Sequence, residues 1–144
     1  MSILVNIVIA DEDDAEAIGL SLQPVAEWSG LQARDLDTAK IATLHSLLTG
    51  EWFAEVLNRY EPVFVIEEGA SVIRIPDEAV ERLASLDEDE LYAIGEELAA
   101  TEEFELAGWP EDDVATFLEE LAELAQQADG NGEAMFVWMH RLMT

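Results

Sequence analysis

Glu111-Asp-Asp-Val-Ala-Thr-Phe-Leu-Glu-Glu-Leu-Ala-Glu-Leu-Ala-Gln-Gln-Ala128, then Asp129-Gly-Asn-Gly132, then Ala134-Met-Phe-Val-Trp-Met-His-Arg-Leu142, sets a helical pattern beside a strand pattern across one short turn. Val114, Phe117, Leu118, Leu121, Leu124 and Ala125 recur at helical spacing and form one apolar stripe, with acids filling the positions between. Gly and Asn tolerate positive φ, so Asp129 to Gly132 reads as the stop. Ala134 to Leu142 reads as a closing strand. A one-sided helix must bury its stripe against another layer, and a strand needs neighbours. The stretch therefore predicts helices laid on a sheet.

The remaining strands lie upstream. Ile3-Leu-Val-Asn-Ile-Val-Ile-Ala10 is rich in β-branched residues and stops at charge, which marks a first strand. Pro62 to Ile66 and Ser71 to Ile75 flank Glu67-Glu68-Gly69-Ala70 and predict a hairpin. Between them fall helices at Asp11–Leu20, with Asp11 as its cap, at Asp37–Leu48, capped by Asp37 and stopped by Gly50, and at Glu51–Arg59. Pro76–Leu86 and Asp87–Ala100 make a further helical pair, and Trp109-Pro110 breaks the chain before the long helix. Gln23 to Leu36 has no clear period and reads as a connection. The expectation is one α+β domain over residues 1–144, its helices packed on a small mixed or antiparallel sheet of the first, middle and last strands.

The 144 residues carry 33 acids against six Lys and Arg, a net charge of −27, while half are apolar. So apolar a chain folds, and the acids decorate a folded body. Direct nucleic-acid binding needs cations to displace counterions from phosphate, and these are missing. An anionic membrane surface is excluded for the same reason. A basic protein partner is allowed, and long-range attraction would speed the encounter. Solubility alone also accounts for the charge, and adaptation to a salt-rich host is a third reading, opposed by the apolar content. Residues 77–133 hold 20 of the 33 acids and a single cation, Arg82, so the helices there carry negative outer faces. The apolar start is broken by Asn6 and no cation precedes Arg34, so neither a signal peptide nor a membrane span is expected, and the expected location is cytoplasmic.

The absence of Cys removes disulfides, thiolate metal sites and Cys nucleophiles. Ile7-Val-Ile-Ala-Asp-Glu-Asp-Asp14 invites a phospho-acceptor reading with Mg²⁺, but Glu67 stands where a later Asp is required and no Lys follows Lys40. Asp11–Asp14, Asp87–Glu90 and Asp129–Glu133 lack the alternating ligands of a Ca²⁺ loop, and helix ends explain them better. His45 and His140 are the two imidazoles. Either could work with a carboxylate in acid–base chemistry, whereas a His beside an apolar face is more often structural. Of Trp28, Trp52, Trp109 and Trp138, Trp138 reads as core, and Trp109, beside Pro110 in a break, reads as a candidate anchor for a partner.

Asp35-Leu-Asp-Thr-Ala-Lys-Ile-Ala-Thr-Leu-His-Ser-Leu-Leu-Thr-Gly50 resembles the YfbM-like family of bacterial domains of unknown function, in which an Asp-rich start and a Lys lead into a helix ending Leu-Leu-Thr-Gly. Ile75-Pro-Asp-Glu-Ala-Val80 with Leu86-Asp-Glu-Asp-Glu-Leu91 is similar to its helix pair, and Trp109 with the long helix and last strand matches its ending in kind. Leu121-Ala-Glu-Leu-Ala125 departs from the aromatic-rich stretch of that family's final helix. The resemblance implies a single α+β domain and supplies no catalytic residue.

The functional expectation is a non-enzymatic acidic interaction domain for a basic protein, with Trp109, Glu119, Glu120 and Glu123 as binding residues and no cofactor, metal or catalytic group. A sharper variant is an immunity-type or nucleic-acid-mimicking inhibitor. The rival is an enzyme or small-ligand binder using carboxylates with a His. Oligomeric state is open at this level.

Overall fold

Strand β5, Ala134–His140, is buried along almost its whole length because it lies in the middle of the sheet. The computed structural model describes residues 3–66 and 69–140. Its five strands are ordered β2-β1-β5-β4-β3, with β1 Leu4–Ala10, β2 Gly30–Arg34, β3 Phe64–Val65 and β4 Ser71–Ile75, and every pairing is antiparallel. The last strand of the chain thus inserts between the first and the fourth, with Leu4 opposite His140 and Ile75 opposite Met135.

Alternation along the strands makes two cores. Val5, Ile7, Ile9, Ile73, Ile75, Met135 and Val137 face the helical layer. Val8, Val72, Phe136 and Trp138 face the other way, under α1 (Ala15–Leu20) and a 3-10 turn at Pro24–Ala26. With both faces covered, β1 and β5 are nearly continuous apolar runs rather than alternating ones, interrupted in β1 by the buried Asn6, whose Oδ1 accepts from the Val25 N–H at 3.1 Å.

The helical layer contains α2 (Thr38–Thr49), α3 (Phe53–Leu57), α4 (Asp77–Ser85), α5 (Glu88–Ala99), α6 (Glu102–Leu106) and α7 (Glu111–Asn131). The predicted stripe of α7 is buried from Val114 to Ala125, and the helix ends at Gly132 with φ 68°. Asp37 caps α2 as expected, its carboxylate accepting from the Lys40 N–H at 3.0 Å, and Gly50 (φ 77°) closes it. Asp87 and Glu90 exchange side-chain and backbone bonds in a capping box at the start of α5.

Four expectations are corrected. Gln23–Leu36 is not a bare connection, because it contains β2, an edge strand whose short alternation Leu31-Gln-Ala-Arg34 is too brief to stand out. Asp11 makes no side-chain cap; the acids after β1 form a 3-10 turn, Glu12–Asp14, before α1. The long helix overruns the expected stop at Ala128 by three residues. An extra turn of helix, α6, precedes Trp109 and buries Phe104. The hairpin turn at Glu67-Glu68 and the strand end at Arg141-Leu142 lie outside the described residues. Among the described residues, no helix is long and apolar enough to cross a membrane.

Candidate functional site

Two places on the helical layer gather polar groups, and they do so in opposite ways. The first surrounds His45. The apolar face of α2 turns into the core and carries His45 with it, leaving the imidazole 1% exposed. Its Nδ1 lies 2.8 Å from the Tyr60 hydroxyl, also buried. Its Nε2 faces Glu51 and Glu78, each 3.5 Å away, and the Arg59 guanidinium at 3.4 Å. Arg59 donates to both carboxylates, to Glu51 at 2.5 Å and to Glu78 on α4. One cation therefore clips the segment around α3 to α4 above the ring.

Two neutral tautomers satisfy this shell. With the proton on Nδ1, the ring donates to Tyr60 and Nε2 accepts from Arg59. With the proton on Nε2, the ring donates toward a carboxylate and Tyr60 donates to Nδ1. Burial holds the His45 pKa below its ordinary value, helped by the positive Arg59 and opposed by the bond to Glu51 and by Glu78. Burial also raises the Tyr60 phenol, and the Arg59 bond lowers Glu51. Nitrogen and oxygen atoms of His45, Glu51 and Glu78 lie within 4.8 Å of one another, a spacing a metal ion could bridge. That space is taken by the guanidinium. On the core side of the ring, among Leu44, Tyr60, Leu83 and Leu121, the open volume is about 10 Å³, at most room for one water. The constellation is built as a packed structural joint.

His140 takes no part in it. It shares the sheet face of Trp138, whose ring it contacts at 5.6 Å, whereas α2 packs on the opposite face.

The second place is the outer surface of α7. Trp109 is half-buried, wedged edge-on between Phe104 and Phe117 at 5.3 and 5.8 Å, so it closes the core as well as meeting solvent. Its outer side helps wall a groove of about 420 Å³ between the N-terminal half of α7 and strand β2, together with Phe117, Asp113, Glu120, Leu31 and Ala33. The adjoining hollow, lined by Trp28, Leu31, Glu120 and Glu123, extends the groove along the same strand. Glu119 points elsewhere, into a depression against α5 beside Leu91 and Tyr92, and Glu123 stands on the crest between the two. All three glutamates are exposed. The residues singled out from the sequence thus divide between two grooves that share α7 as a wall.

Among the described residues every Lys and Arg except Arg34 is in an ion pair: Lys40 with Asp37, Arg59 with Glu51 and Glu78, Arg74 with Glu12 and Asp77, and Arg82 with Glu90. None of these cations reaches the acids of α7. The acids after β1 line a separate cleft of about 490 Å³ in which Arg74 is held at 2.9 Å by Glu12 and 3.0 Å by Asp77. A phospho-acceptor site of the kind weighed above belongs to parallel doubly wound sheets, and this sheet is antiparallel throughout.

Sequence reasoning missed Arg59, Tyr60, Glu51 and Glu78 as neighbours of His45, and missed β2 as a groove wall. Trp52, one of the four tryptophans weighed from the sequence, is 80% exposed at the start of α3, whereas Trp109, the one singled out, is half-buried.

No family model and no curated protein matches the chain. It is similar to a solved structure, the crystal structure of YfbM from Escherichia coli, a protein of unknown function, at 14% identity over 94% of this chain and 99% of that one, with a TM-score of 0.47. That protein bears the name of the group that Asp35 to Gly50 resembles, and no residue role is transferred from it.

Proposed function

We propose that this protein is a non-enzymatic interaction domain that binds a basic protein through the outer surface of α7 and the grooves beside it. The observation that carries the reading is the unpaired state of the α7 acids. Glu119, Glu120 and Glu123 are exposed and in no ion pair among the described residues, with Arg34 across the groove from Glu120 as the one described cation there, while grooves with aromatic walls run along both sides of the helix. Carboxylates that repel one another in the free protein gain when a basic surface covers them, and their summed field steers the encounter. Trp109 offers an apolar contact next to the charges, the combination that interface anchors use. The filled shell of His45, with Arg59 where a ligand or metal would sit, supports the same reading over an enzyme built on that ring.

Capture from the native host tests it. A basic protein should be recovered, with a yield that falls steeply between 50 and 300 mM salt. Reversing Glu119, Glu120 and Glu123 together to Lys should slow association at least tenfold, while His45→Ala leaves the association rate of the folded fraction unchanged. A partner held equally well at all salt concentrations, or a turnover activity lost with His45→Ala, would overturn the reading.

A further inference from the structure

We infer that the α7 groove takes its basic partner as an extended segment added to the free edge of β2, as a sixth strand of the sheet. The inference rests on the proposed function and adds the mode of recognition. The Ser29 carbonyl accepts from the Ile9 N–H at 3.0 Å, and the Asp35 N–H donates to the Ile3 carbonyl at 2.9 Å. In an antiparallel ladder these bonds recur every second residue, so Leu31 and Ala33 turn their N–H and C=O groups to Ile7 and Val5 of β1. The N–H and C=O groups of Gly30, Gln32 and Arg34 therefore point out of the sheet. They have no backbone partner among the described residues.

Sheet edges of this kind are normally blunted. The opposite edge, β3, is blunted by length, since it is two residues long and follows Pro62. β2 is five residues long, holds no Pro or Lys, and no described element lies along its outer side. Its side chains alternate as a docking strand requires: Leu31 and Ala33 pack toward the helical core and Gln32 and Arg34 are exposed, and all four residues line the groove.

Charge selects the occupant. A strand laid about 4.8 Å beyond β2 would place alternate side chains between Leu31 and Ala33 on one side and Trp109, Asp113 and Glu120 on the other. Apolar side chains would meet the aromatic wall. Lys or Arg would reach Asp113, Glu120 and Glu123, which are in no ion pair among the described residues and which outnumber Arg34, the one described cation lining the groove. The occupant that fits is an extended segment of a partner protein alternating basic and apolar residues.

The probe is a short synthetic peptide alternating lysine with valine, and the same peptide N-methylated at the residues whose N–H groups would face β2. Methylation keeps charge and side chains but removes the ladder donors. The plain peptide should bind with salt-sensitive affinity and slow hydrogen exchange at the amides of Gly30, Gln32 and Arg34. The methylated peptide should bind at least tenfold more weakly. Gln32→Pro, which deletes an outward N–H and spares the bonds to β1, should lose the plain peptide to a similar degree while its melting curve stays cooperative. If Gln32→Pro unfolds, the methylated peptide against the unaltered protein still decides. Equal binding of the two peptides, or binding without slowed exchange at those three amides, overturns strand addition and leaves the acidic surface as the binder. No binding of the plain peptide also overturns strand addition, and the acid-reversal experiment then judges the wider reading on its own.

Discussion

The glutamates around His45 and those on α7 are the same residue type in the same helical layer, yet they do opposite things. Glu51 and Glu78 share the Arg59 guanidinium, touch a buried ring and join elements distant in sequence. Among the described residues Glu119, Glu120 and Glu123 are in no ion pair, and they stand on the outer side of a helix whose inner side is already fixed by Leu118, Leu121 and Ala125. A carboxylate's role here is set by whether a cation reaches it. Six basic residues cannot neutralise 33 acids, and the described ones are spent mainly at element junctions, leaving α7 bare.

The largest effect should come from damage to the platform under the paired cluster. Leu44→Ala should lower stability by about 2–5 kcal/mol in urea unfolding, because Leu44 is buried on the same helix as His45. A neutral result would mean that α2 is not anchored by its apolar face. Tyr60→Phe should cost less, about 1–3 kcal/mol, since it strips the Nδ1 partner from a buried imidazole while keeping the ring. No loss at all would mean that the Tyr60 hydroxyl makes no bond on which the buried ring depends.

pH separates the regions further. His45 has its pKa lowered in the folded state, so the unfolded chain takes up the proton first as pH falls through about 6.5. Folded stability contributed by the neutral ring is therefore complete above about 6.5 and drains away below it, down to the folded pKa. Melting temperatures between pH 7.5 and 5.5 should fall more for the wild type than for His45→Gln, and parallel curves would refute the assignment. The smallest effect belongs to α7. Salt screens repulsion among its acids over about 10 Å at 0.1 M, so urea midpoints should rise modestly with NaCl. The rise should shrink when Glu119, Glu120 and Glu123 become Lys. Collapse of the fold below molar salt would point instead to a salt-adapted protein.

The features legible from residue order were local ones. The stripe from Val114 to Ala125, the Asp37 cap, the Gly50 stop and the strands at both ends all depend on residues three or four positions apart, or on alternation within one run. Tertiary structure alone decided that the last strand lies at the centre of the sheet, because antiparallel pairing of Leu4 with His140 joins opposite ends of the chain and leaves no local mark. It likewise decided that Leu31-Gln-Ala-Arg34 is a strand, since β1 supplies the hydrogen bonds that so short a segment cannot make alone. It brought Arg59 between Glu51 and Glu78, and it separated His45 from His140 by the thickness of the sheet. Spacing within a helix is encoded in neighbouring residues, whereas the partner of a buried ring is chosen by every element that packs around it.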